Sequence, residues 1–360
     1  MPDWTKSMSQ TFEFFEVDPG TWRDRAQITN IKKCKITRDL SDETLGSAQI
    51  TCESDLTDKY IRIYLVTEQD RAREKTALGT YIFETPSTSF DGRVTSTDQD
   101  GYTPLIELKE KLPSIGFTVS KSENIVETAY LLANEYCRAP VAYGTNDKVL
   151  TDPFIAEVDD TWLYFISDLL ANASYHFGLE PDGSITLEPD QDSDSLSPVW
   201  TFNDDNSSIL LPEVEVSRDL YGVPNVVEVL YSPDGEAPIF SVVRNDDESS
   251  PVSTVLRGRE IVYRDTDPSI RGSDSVTSLT QADVDDYARD LLRSLSSVEY
   301  TVSYKHGYCP VRIGDGVLLN YERAGLRNVR AKVTRQIINC ASGCEVQETA
   351  VFTKRLWEAE

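Results

Sequence analysis

Residues 60–65, Tyr-Ile-Arg-Ile-Tyr-Leu, and residues 78–83, Leu-Gly-Thr-Tyr-Ile-Phe, flank a basic, polar loop from Asp70 to Lys75. Ile61, Ile63 and Leu65 alternate with Arg62 and Tyr64, the period-two signature of a half-buried strand. The reading is an antiparallel hairpin from Tyr60 to Thr85. The same pattern recurs near the other end of the chain. Val311 and Ile313 are followed by Val317, Leu319 and Tyr321, and a basic loop runs from Glu322 to Asn328. Val329, Ala331 and Val333 then alternate with Arg330 and Lys332 on the way to Ile338. Either one β-module is written twice, or two unrelated hairpins converge on a short pattern; signals of this length admit both. Duplication matters for assembly, because it doubles the similar edges a subunit brings to an oligomer.

Around these hairpins, residues 10–105 read as strands. Thr11–Val17, Ile28–Arg38, Gly46–Cys52, Tyr60–Glu68 and Leu78–Thr85 carry β-branched and aromatic residues, with turns at Asp91-Gly92 and Asp100-Gly101. From Pro104 the pattern changes to α/β. Asn124 with Glu127 predicts a helix cap, and Ile125, Ala129, Leu132 and Tyr136 share one face of a helix that stops before Pro140. A second helix follows Asp159-Asp160, with Trp162, Phe165, Ile166, Leu169 and Leu170 as its buried stripe. Tyr175–Leu179 and Ser184–Leu187 then flank Pro181-Asp182-Gly183, a hairpin turn. After a polar, acidic stretch from Asp190 to Ser208, strands resume at Glu213–Ser217, Asn225–Tyr231 and, past an Asp234-Gly235 turn, Ile239–Arg244. A third helix spans Ala282–Leu295, capped by Thr280, with Val284, Tyr287, Ala288, Leu291 and Leu292 inward. A C-terminal β-module occupies Val298–Leu356.

The chain has 360 residues, 39% of them hydrophobic, which suits a globular protein of several domains. Met1–Glu16 mixes Asp3, Lys6 and Glu13 with aromatics, so no secretory leader is expected, and runs such as Trp162–Ile166 are too short to span a bilayer. Synthesis in the cytoplasm, without export by an ordinary signal, is the expectation. The net charge of -26 is unevenly placed: residues 1–120 sum to -5, 121–300 to -24 and 301–360 to +3. So acidic a middle repels phosphate and argues against specific nucleic-acid binding. It reads as a solubilising surface, or as a surface that faces DNA and must not hold it.

Six cysteines, Cys34, Cys52, Cys137, Cys309, Cys340 and Cys344, are too few for a disulfide scaffold. Cys340-Ala-Ser-Gly-Cys344 is open to a local disulfide or to free thiols, but zinc would need two more ligands, and His176 and His306 lie at no familiar spacing. Asp190, Asp192 and Asp194 imitate the start of a calcium loop, yet Ser195 and Thr201 stand where that loop requires Gly and Glu. Asp159 and Asp160 beside Trp162 are better read as helix caps than as sugar chemistry. The Lys32-Lys33-Cys34-Lys35 run alternates into Ile36 as a charged strand face. No nucleophile elbow, phosphate loop or dinucleotide fingerprint occurs. No catalytic, metal or cofactor-binding residue is expected, and no cofactor.

In order along the chain stand Ile36-Thr37-Arg38-Asp39, Thr44-Leu45-Gly46-Ser47-Ala48, Leu78-Gly79-Thr80-Tyr81-Ile82-Phe83 and Trp162-Leu163-Tyr164-Phe165-Ile166. The Pro181-Asp182-Gly183 hairpin, Asn225-Val226-Val227-Glu228-Val229, Asn245-Asp246-Asp247 and Ser249-Ser250-Pro251-Val252-Ser253 follow, before a helix and a terminal β-module. In this succession the chain resembles the tail or baseplate hub proteins of tailed bacteriophages, the family that includes the hubs of T-even and Mu-like phages. Each motif alone is unspecific; their order covers most of the chain.

The resemblance implies a β-rich α+β fold with two tube-like antiparallel β-barrel domains and a small α/β insertion domain. The first tube-like domain is expected over 1–105, completed by strands near 200–220, and the insertion over 106–199. A second β-rich segment covers 200–279, and a helix plus the C-terminal tube-like domain 280–360. It further implies a non-enzymatic homotrimer in the virion tail, adapting a six-fold tail tube to a three-fold spike or fibre. Its partners would be the tail tube or a distal tail protein, the spike or central fibre, and in some tails the tape measure protein. DNA would pass through its channel at genome ejection without specific binding. The rivals are a hydrolase of bacterial cell-wall or surface polysaccharide, which predicts a cleft holding a carboxylate of raised pKa, and a β-sandwich carbohydrate-binding adhesin.

Overall fold

The computed structural model describes residues 2–93, 95–205, 208–232, 237–266 and 279–358. They form two compact units, Met1–Val214 with Ser303–Ala350, and Glu215–Val302 with Val351–Glu360. The chain is rich in strand and carries few helices, the α+β, β-rich class expected.

In the larger unit the first module contributes seven strands to one sheet. From the edge inward they run Arg23–Ile28, Ser9–Asp18, Lys59–Gln69, Ala72–Phe90, Thr95–Tyr102, Gly46–Cys52 and Ile31–Asp39. Ile31–Asp39 then pairs antiparallel with Leu326–Asn339, so both ends of the chain share a single ladder, with Ile36 opposite Ile338. Leu326–Asn339 also forms the C-terminal hairpin with Gly316–Tyr321, whose far side takes Pro198–Asn203 in parallel. Residues 345–350, 303–307 and 210–214 complete the order within this unit. Pairing runs open from one edge to the other, and no sheet closes on itself among the described residues.

Both hairpins are present, with shifted bounds. The first is longer: Lys59–Gln69 pairs with Ala72–Phe90 around only Asp70 and Arg71, both at positive φ (50° and 70°). Arg73 and Lys75 of the expected loop lie instead in the return strand, where Lys75 Nζ sits 3.6 Å from the Phe15 ring and 3.8 Å from that of Tyr64. In the second, Val311 and Ile313 precede the strand, and the loop is a short 3-10 turn, Glu322–Ala324, closed by Gly325 at φ 75°. Two further corrections follow from local packing. Asp100-Gly101 is strand, not turn: Asp100 accepts from Gln49 across the ladder, and a Cβ on Gly101 would lie 2.7 Å from the Phe83 ring that covers it. The run Ile28–Arg38 breaks at Thr29-Asn30 into two strands.

The α/β insertion packs on this sheet within the same unit. Asn124 caps Ile125–Tyr136 by accepting from Glu127 N at 2.9 Å. The next helix, Trp162–Ala171, is capped by Thr161, which accepts from Tyr164 N. Asp160 turns back to accept from Glu157 N at 2.7 Å, so it shapes the approach to the helix. Trp162, Phe165, Ile166, Leu169 and Leu170 are all buried, and Trp162 stacks on Tyr136 at 4.2 Å. Tyr175–Leu179 and Ile185–Pro189 form the expected hairpin.

In the smaller unit, Val226–Tyr231 lies between Ile239–Arg244 and Val262–Asp265. Helix Gln281–Leu295 covers one face of that sheet, its Val284, Ala288 and Leu292 packing on Val227 and Val229. Thr280 and Asp283 cap it reciprocally. The expected Asp234-Gly235 turn lies outside the described residues.

Candidate functional surfaces

Two polar assemblies hold the larger unit together. At the first, the Pro181-Asp182-Gly183 turn plugs into the first β-module. The Asp182 carbonyl accepts from three side chains: Trp22 Nε1 (2.9 Å), Arg62 Nη2 (2.9 Å) and Thr80 Oγ1 (2.8 Å). Arg62 is itself buried, with Nε donating to Thr80 Oγ1 and Nη1 to Asp24 Oδ1, each at 3.0 Å. A buried guanidinium needs this number of acceptors to offset its desolvation. Glycine is required at the turn because Gly183 has φ 84° and a Cβ there would lie 2.7 Å from that of Thr80.

The second assembly is at the junction of the two modules. Glu348, fully buried, accepts from Tyr304 Oη at 2.7 Å and from Gln336 Nε2, and lies 3.2 Å from Nε2 of the fully buried His306. His306 Nδ1 donates to the Gly307 carbonyl (2.7 Å), and Gln336 also donates to Val311 O. Arg38 extends the network into the first module, donating to Gln336 Oε1 at 2.8 Å and to the Leu78 carbonyl. Burial alone would raise the Glu348 pKa; the His306 charge and the bonds from Tyr304 and Gln336 outweigh it and hold the carboxyl below its ordinary value. His306 and Glu348 form an acid–imidazole pair of the kind enzymes use, but both are sealed from solvent. They act as a tie between strands.

Between these assemblies lies a cavity of 260 Å³, lined by groups that include Arg38, His176, Glu180, Arg312, Asp315 and Lys332. Arg312 meets Glu180 at 2.6 Å and Lys332 donates to the Gln191 carbonyl, so its walls tie the insertion to the C-terminal module. Burial raises the Asp315 carboxyl above its ordinary pKa despite the Arg312 backbone N–H and charge beside it. Asp315 accepts from Arg312 N at 2.7 Å, which fixes the turn ahead of Gly316–Tyr321.

The residues weighed from sequence disperse. Half-buried His176 pairs with the exposed Asp190 at 2.7 Å, and Asp192 turns its carbonyl to Ser195. Among the described residues no group of three or more His, Cys, Asp or Glu is placed to hold a metal. Lys33 and Lys35 are exposed while Cys34 and Ile36 are buried, as a charged strand face requires. Sequence reasoning missed Arg62 and the Arg38–Gln336–Glu348 chain. The available signals were a charged residue inside an apolar strand, and a glutamine directly before Ile337-Ile338.

The fold is similar to that of two solved tail proteins over nearly its whole length. It matches the tail protein from Neisseria meningitidis MC58 with a TM-score of 0.58 at 13% identity, covering 95% of this chain and 97% of that one. It matches the 43 kDa tail protein of prophage MuSo2 from Shewanella oneidensis with a TM-score of 0.57 at 11% identity, covering 95% and 98%. No protein-family model and no curated protein matches the sequence.

Proposed function

We propose that this chain is a structural hub subunit of a phage tail or baseplate, located in the virion and without catalytic activity. The observation that carries the reading is the match to two tail proteins across at least 95% of each chain. The proposed assembly is a homotrimer that adapts a six-fold tail tube to a three-fold spike or fibre and encloses part of the DNA path. Residues 1–105, with strands near 200–220, and 280–360 would serve as its two tube-like modules, 106–199 as an insertion and 200–279 as a second β-rich segment. Support comes from the two hairpins, which lie in one sheet joined through Ile31–Asp39 and Leu326–Asn339. A subunit carrying two such modules offers six comparable edges per trimer. The test is an electron-microscopy map of assembled tails. A closed three-fold ring in which 59–90 and 316–339 alternate at equal radius is expected; unequal radii or another symmetry would overturn the trimeric hub.

One observation favours the polysaccharide hydrolase as second reading: Asp315 is a carboxylate of raised pKa in a cavity. Zymography of the purified protein and of Asp315→Asn separates the two. A clearing band lost in the variant would favour the hydrolase, and no band in either favours the hub.

A further inference from the structure

Cys34 and Cys340 stand opposite one another where the first and C-terminal modules meet. The ladder between Ile31–Asp39 and Leu326–Asn339 pairs Ile36 with Ile338 and Lys35 with Asn339, and one step further Cys340 N donates to the Cys34 carbonyl at 3.1 Å. Directly opposed residues of an antiparallel pair have Cα atoms about 4.5–5.5 Å apart. A disulfide accepts a Cα separation of about 4.4–6.8 Å. Directly opposed in the ladder, their side chains share a face of the sheet, and both residues line an open groove of 890 Å³. Cys344 is different: it is fully buried below the exposed Ala341-Ser342-Gly343 turn. We propose that Cys34 and Cys340 are a site of oxidative cross-linking, forming a cross-strand disulfide that staples the two β-modules once the protein leaves a reducing compartment. The proposal stands whether or not the chain is a tail hub.

The oxidant is a small disulfide such as oxidised glutathione. One protein thiol loses its proton to water, and the thiolate attacks a glutathione sulfur and releases one glutathione. The second protein thiolate attacks the mixed disulfide and releases another. Two protein thiols are oxidised by two electrons, and one glutathione disulfide is reduced to two thiols. Contact with Cys34 and burial hold the Cys340 thiol well above its ordinary pKa, although Arg38 acts in the opposite sense. The groove also carries Lys32, Lys33, Lys35, Asp98, Asp100 and Glu345. Little thiolate is present at neutral pH, so the reaction is slow there and accelerates with pH.

The experiment treats the reduced full-length protein with oxidised glutathione at pH 7 and pH 9, followed by thiol counting and mass spectrometry of a non-reduced digest. The expected product has lost two of six thiols, links the peptides bearing Cys34 and Cys340, and forms several-fold faster at pH 9. Its unfolding midpoint rises by several degrees, because the link closes a long loop. Cys34→Ser should abolish the link and Cys344→Ser should leave it. A Cys340–Cys344 link, arrest at a glutathione adduct, or six free thiols after prolonged treatment at pH 9 would each overturn the proposal. The wild-type digest decides the matter even if a variant fails to fold.

Discussion

The helix Trp162–Ala171 buries an apolar stripe against aromatic residues from neighbouring sequence, whereas the junction between the two β-modules is polar and drawn from distant segments. Trp162, Phe165, Ile166, Leu169 and Leu170 come from one helix and pack on Phe117 and Phe154 nearby. At the junction, Arg38, Tyr304, His306, Gln336 and Glu348 meet from four separate strands. Apolar packing fills space but sets register weakly, while a buried carboxylate with three partners is satisfied in only one strand alignment. The junction is where the N- and C-terminal modules must find each other, and there a polar interior specifies the match.

The largest expected effects test this contrast directly. Trp162→Ala and Glu348→Ala should each cost about 3–5 kcal/mol, the first by leaving a cavity, the second by leaving the buried Tyr304 and Gln336 donors without their acceptor and His306 without the carboxylate beside it. Their pH dependence should differ. The folded pKa of Glu348 is depressed, so its contribution is fully present above the unfolded carboxyl value of about 4.3 and is lost as pH falls through the folded value. The cost of Glu348→Ala should therefore shrink in acid while that of Trp162→Ala stays level. Urea unfolding of both variants at pH 7 and below pH 4 checks this; parallel behaviour would break the comparison.

The same contrast explains what sequence reading could reach. The helix at Trp162–Ala171 was legible because its apolar residues recur at helical spacing within ten positions. The hairpins are legible as alternation, but their turns are not: Arg71 shows no sign in sequence of its left-handed backbone, so Arg73 and Lys75 of the strand look like loop. Asp100-Gly101 looked like a turn because the Phe83 ring that Gly101 accommodates is distant in sequence. The junction network was not legible at all. Gln336 acquires meaning only once Arg38, 298 positions away, donates to it, and Glu348 only once Tyr304 does. The order of elements was enough to suggest a tail protein, since topology survives where pairwise contacts cannot be read.

A smaller effect is expected at the docking turn. Gly183 and Gly92 have similar backbones, φ 84° and 90°, but a Cβ at Gly183 meets Thr80 whereas one at Gly92 meets nothing within 4 Å. Valine at either position carries the strain of positive φ, about 1–2 kcal/mol. Gly183→Val must in addition push the turn off Thr80 and so disturb the three bonds to the Asp182 carbonyl. Limited proteolysis should release the insertion in Gly183→Val and not in Gly92→Val. Equal resistance in both would mean that the turn contributes little to docking.

The smallest effect compares the two hairpin turns. The C-terminal hairpin already has glycine at its left-handed position, Gly325 at φ 75°, while the first places Arg71 there at φ 70°. A left-handed L-residue is disfavoured by about 1–2 kcal/mol, and glycine loses roughly 0.5–1 kcal/mol of that gain to its more flexible unfolded chain. Arg71 is exposed and sits in a two-residue turn with Asp70, where an aspartate-glycine pair suits the twist of the strands. Arg71→Gly should therefore stabilise the protein by about 0.5–1 kcal/mol, and Gly325→Ala should destabilise it by about 1 kcal/mol. Urea midpoints at constant slope would report both. If Arg71→Gly is neutral or harmful, the arginine side chain stabilises the turn by more than its backbone strain costs, and the two hairpins are less alike than their backbones suggest.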